Sequence, residues 1–70
     1  MPMRPTDREL SGMTVNERLC ACGLIDRWDA SVRARKRDEM IAVLCEVALT
    51  QEEAASTTDT VLANPTKYGF

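Results

Sequence analysis

Histidine is absent from this 70-residue chain, which removes the commonest general base and the commonest metal ligand together. Positive charge is not in excess either: nine basic residues face eleven acidic ones, for a formal net charge of −2. That balance argues against generic attraction to nucleic acid, which basic domains achieve by summed charge, while leaving room for a local patch. No apolar run approaches the roughly 20 residues needed to span a bilayer. Aromatics are scarce, with one Trp, one Tyr and one Phe. The opening Met1-Pro2-Met3-Arg4-Pro5-Thr6-Asp7-Arg8-Glu9 has no apolar core and is broken by two prolines, so it does not read as a secretion signal. The cytoplasm is the expected compartment. Cys20, Cys22 and Cys45 cannot all pair internally, and in that compartment they are expected to be reduced thiols behaving as small apolar side chains.

Seventy residues allow one domain at most. A domain of this size buries only about 60% of the surface its unfolded chain exposes, so a partner surface or a second copy of the chain is a reasonable source of extra stability.

What is present is helical. Residues 1–12 are polar, carry Pro2, Pro5 and Gly12, and show no period, so they read as a disordered arm; residues 13–70 read as a single helical domain. Thr14-Val15-Asn16-Glu17 matches a capping box, in which the Thr oxygen accepts from the first turn and the Glu reaches back to the cap amide. The helix that follows carries Val15, Leu19 and Cys22 on one face, and Gly23 suits a left-handed C-cap. A second helix is predicted from about Leu24 to Arg35, with Ile25, Trp28 and Val32 on its apolar face. A third starts near Asp38 and carries Met40, Ile41, Leu44, Val47 and Ala48. Thr50-Gln51-Glu52-Glu53 is a second capping box, opening a fourth helix with Ala54, Ala55, Thr58, Val61 and Leu62 on adjoining faces. Asn64-Pro65 ends it, because the residue before proline avoids helical geometry. The expected fold is therefore all-α, a small bundle of four short helices with a C-terminal tail packed on it. Two aromatics in the last three residues, Tyr68 and Phe70, point to a tail that folds back over apolar surface or docks into a partner's groove.

The parts for chemistry are few. A structural zinc site needs four ligands; here three thiols stand without histidine, and residues two apart on a helix point about 200° apart. No metal or cofactor is expected. The hydroxyls have no histidine to activate them. The pairs Asp26 with Asp29 and Glu52 with Glu53 are more simply read as exposed helix residues and first-turn dipole partners than as an acid/base pair, which needs an enclosing pocket. No catalytic residues are assigned, and a non-enzymatic role is expected.

The sharpest local feature is Arg33-Ala34-Arg35-Lys36-Arg37, four positive charges in five residues. Arg33, Arg35, Lys36 and Arg37 are the candidate contacts to phosphates or to an acidic partner. The plainer reading is a solvated helix end, where cations meet the C-terminal dipole and then Asp38 and Glu39. No aromatic lies inside the segment to stack on bases. The pattern resembles short bacterial helical proteins in general, and no family motif is present from which a residue role would carry over. The leading expectation is a protein-protein interaction module (adaptor, regulator, inhibitor or small subunit), with another protein or a second copy as partner. The alternative is a nucleic-acid-associated regulator working through the basic segment. No membrane partner is expected.

Overall fold

Three Thr-x-x-Glu sequences organise the start of the helices. The computed structural model describes residues 6–70. In it, Thr6 caps α1 (Asp7–Leu10), Thr14 caps α2 (Val15–Ala21) and Thr50 caps α5 (Gln51–Ala63). At the two longer helices the box is complete. Thr14 Oγ1 accepts from the Glu17 amide at 3.2 Å and the Glu17 carboxylate accepts from the Thr14 amide at 3.1 Å. Thr50 and Glu53 repeat this at 3.1 and 3.0 Å. Between them lie α3 (Ile25–Arg33) and α4 (Arg37–Cys45), and a 3₁₀ turn (Pro65–Tyr68) follows α5. No strand forms among the described residues, so the all-α expectation holds, with four helices of seven residues or more.

Helix ends are set by left-handed residues. After α2, Gly23 takes φ +69, its amide bonds the Cys20 carbonyl and the Leu24 amide bonds the Leu19 carbonyl. This is a Schellman closure. After α3 the same closure is made by Arg35 at φ +54, with Arg35 bonding to Val32 and Lys36 to Ser31. Here the chain uses a residue with a Cβ where glycine is the usual choice. Ala48 at φ +70 turns the chain between α4 and α5.

The core is built around α4, which packs on α3 and on α5. Met40, Ile41, Val43 and Leu44 are all buried, so the helix is covered on more than one face and lacks the single stripe of a surface helix. Leu19 from α2, Trp28 and Val32 from α3, and Ala54 and Val61 from α5 complete this cluster. Val47 joins it from the turn after α4. Trp28 is 5% exposed, as its place on the predicted α3 face requires.

Three details differ from the sequence reading. The first five residues of the expected disordered arm lie outside the described residues, but residues 7–10 form a helical turn and Leu10 is only 2% exposed. The signal was the Thr6–Glu9 spacing, a half-made capping box in which Thr6 Oγ1 accepts from the Glu9 amide at 3.3 Å. The second difference is the start of α4 at Arg37 with Lys36 at the cap, ahead of Asp38, and no side chain caps it. The Schellman turn at Arg35 sets this start, because its hydrogen bonds close α3 within Ala34, Arg35 and Lys36, the three residues between the two helices. The third is Ala48, which belongs to the turn after α4 and not to its apolar stripe.

Candidate functional site

The four cations of the basic segment occupy the turn from α3 to α4 and are all exposed. The fold gives them different tasks. Arg37, the first residue of α4, forks onto Asp59 of α5, with Nε–Oδ1 2.8 Å and Nη2–Oδ2 3.2 Å. These hydrogen bonds, and then the opposite charge, raise the Arg37 guanidinium above its ordinary range and hold the Asp59 carboxyl below its own. Arg37 therefore serves as a clasp between two helices. Arg33, the last residue of α3, lies over the ring of Phe70, 5.7 Å from its centroid. The side chains of Arg35 and Lys36 form no hydrogen bond or ion pair among the described residues.

The tail positions the aromatics. Pro65 opens the 3₁₀ turn, and Gly69 at φ +87 closes it, with the Gly69 amide bonding Thr66 and the Phe70 amide bonding Pro65. A left-handed residue is needed here to reverse the chain, and glycine takes that conformation without a Cβ penalty. The reversal turns Phe70 back onto the core cluster, where it is half-buried. Tyr68 stays outside at 43% exposure, the one large exposed hydrophobic among the described residues, with the Lys67 ammonium 5.8 Å from its ring centroid.

Trp28, Tyr68 and Phe70 meet in a partly enclosed groove of about 540 Å³. Ile25, Val15 and Val61 add aliphatic walls, and Asp29 and Lys67 stand among its polar lining residues. An apolar, aromatic lining with a few polar groups is the usual composition of a binding cleft. The sequence reading did not find this groove. Its parts come from α2, α3, α5 and the tail, and no spacing along the chain reveals that they converge.

Two further cations have structural duties. Arg18 donates from Nε to the Met13 carbonyl and from Nη1 to the Val47 carbonyl, each at 3.1 Å. Arg27 of α3 reaches both Glu39 and Glu46 at the two ends of α4.

Cys20 is exposed, while Cys22 and Cys45 are half-buried and packed against the core. Among the described residues no three His, Cys, Asp or Glu side chains come together in a way that could hold a metal ion. Asp26 is exposed and Asp29 half-buried on α3, and Glu53 is committed to the Thr50 cap. No described helix is long and apolar enough to cross a membrane. No protein-family model, curated protein or solved structure matches the chain.

Proposed function

We propose that this chain is a non-enzymatic protein-interaction module whose contact surface is the aromatic groove. The reading is carried by one observation: the groove gathers all three aromatics of the chain, and its edge bears the exposed Tyr68. The helix stripes themselves are spent on the core, so the apolar surface left for a partner is concentrated here. Exposed aromatic surface with a polar rim is the composition expected of an interface centre. The occupant is a protein partner that inserts an apolar side chain between Trp28 and Tyr68, with Asp29 and Lys67 meeting polar groups at the margin. The small size of the domain supports the same reading, because a seated partner adds buried area that the chain alone lacks.

The test is site-specific photo-crosslinking in the native host. Benzoylphenylalanine at position 68 should give a discrete adduct, and the same group at position 52, outside the groove, should not. Adding Ile25→Glu in the groove wall should abolish the adduct. An adduct of twice the chain's mass identifies the partner as a second copy. Failure to form any adduct, or an adduct indifferent to Ile25→Glu, overturns the proposal.

A further inference from the structure

Charge is distributed unevenly over the surface cavities. The groove sets Lys67 with Asp29. A cavity between α2 and α5 sets Arg18 against Glu52 and Glu53, and one at the start of α4 sets Lys36 and Arg37 against Asp38 and Glu39. A cavity of about 440 Å³ between the end of α3 and the 3₁₀ turn is different. Val32, Arg33, Arg35, Pro65, Thr66 and Phe70 line it, giving two guanidinium groups and no Asp or Glu side chain. Neither arginine forms an ion pair among the described residues. In a chain with more acidic than basic residues, such a cavity is a local attractor for anions.

We infer that this cavity binds single-stranded nucleic acid; it adjoins the groove of the proposed protein contact and shares Phe70 with it, while Arg33 and Arg35 belong to the cavity and not to the groove. The basic segment supplies charge and, in the folded chain, Phe70 supplies the aromatic that the segment itself lacks. The ring lies against the Arg33 guanidinium, which restrains the cation through its π-face without occupying an N–H donor. Arg33 therefore keeps its donors for a phosphate, in the forked geometry that suits arginine. Arg35 lines the same cavity from its left-handed position, and Lys36, the next residue, stands just outside it, where its ammonium is not bonded to either nearby carboxylate, Asp38 or Glu39. The outer side of the Arg33 guanidinium, backed by the Phe70 ring, is the stacking surface for one base, a use of arginine that single-strand binders share. Three cations are too few to follow both backbones of a duplex, whereas a single strand gains from stacking as well as from phosphates.

The test is fluorescence anisotropy with a labelled oligouridylate of about 12 nucleotides, within the usual range of single-strand sites. Binding should appear at low salt and weaken with a log–log slope of about −2, as three phosphate contacts on a single strand require. Arg33→Gln and Phe70→Leu should each weaken it about fivefold or more. Arg35→Gly should do the same while melting no lower than the parent, because glycine suits that backbone position. No binding at low salt, or binding unchanged by Arg35→Gly, overturns the inference. So does equal binding of polyglutamate or inorganic polyphosphate of matched charge, which would show that the cavity reads charge and not bases. If Phe70→Leu loosens the tail, the two arginine variants still decide the outcome. The crosslink at position 68 should survive Arg35→Gly, which keeps this result independent of the groove.

Discussion

Arg18 on α2 donates to the carbonyl of Val47, 29 residues further along the chain, at 3.1 Å. Through Nε it also holds the Met13 carbonyl, just ahead of the Thr14 cap. One half-buried side chain therefore ties the entry of α2 to the turn that follows α4. Removing it leaves the Val47 carbonyl, in a residue with no solvent exposure, without this charged donor. Arg18→Met should lower stability by about 1.5–3 kcal/mol, the range for hydrogen bonds to charged groups. Urea denaturation should show a lower midpoint with an unchanged slope.

Thr58 poses the opposite case. Its residue is fully buried in α5, and its Oγ1 is the one buried side-chain polar atom without a hydrogen-bond partner among the described residues. A buried hydroxyl left unpaired costs about 1–3 kcal/mol. Thr58→Val keeps the branched shape and removes that penalty, so it should raise stability by about 1 kcal/mol. Thermal melting reads this directly, and a lower melting temperature would show that the hydroxyl has a partner.

Ala48 holds a left-handed backbone, φ +70, in the turn between α4 and α5. An L-residue there costs about 1–2 kcal/mol relative to the right-handed conformation. Ala48→Gly relieves this, offset by the greater freedom of glycine in the unfolded chain. The expected net gain is about 0.5–1 kcal/mol in chemical denaturation, while glycine in the body of α4, for example Ala42→Gly, should destabilise.

The acid limb of stability should come from the caps. In the folded chain Glu17 and Glu53 titrate below their ordinary range, first because the Thr14 and Thr50 amides bond the carboxylates and then through the Thr hydroxyls. Asp59 is lowered by its hydrogen bonds from Arg37. A depressed folded pKa means that the unfolded chain binds more protons, so stability falls as pH falls. The contribution is present above the ordinary carboxylate values of 4.5 for Glu and 3.8 for Asp, and is lost as pH drops through the lower folded values. With no histidine in the chain, no imidazole adds a second transition between pH 5 and 8. Melting temperature against pH should be level near neutrality and decline below about pH 4.5. Thr50→Ala should cost about 1 kcal/mol at neutral pH, and less in acid.

Most of the fold is written locally. Capping boxes at Thr14 and Thr50, the break at Asn64-Pro65 and the three-and-four spacing of Ile25, Trp28 and Val32 locate helices through hydrogen bonds and periodicity that act within a few residues. The helical turn at residues 7–10 was legible too, in Thr6 and Glu9, but two prolines and short length masked it. Val43 was missed from the core because α4 is buried on more than one face, and a one-sided stripe is the wrong template for such a helix.

The candidate sites divide along the same line. Adjacency alone puts Arg33, Arg35, Lys36 and Arg37 in one segment and Tyr68 two residues before Phe70. Folding is what draws Arg37 away to Asp59, brings Phe70 beneath Arg33, and carries Trp28 into one groove with Tyr68 and Phe70. The pairings of Arg37 with Asp59, of Arg33 with Phe70, and of Trp28 with either tail aromatic each join residues 22 or more positions apart. They form because burying the helix faces around α4 brings α3, α5 and the tail to one side, and apolar burial carries no record in the chain of which exposed groups it will bring together.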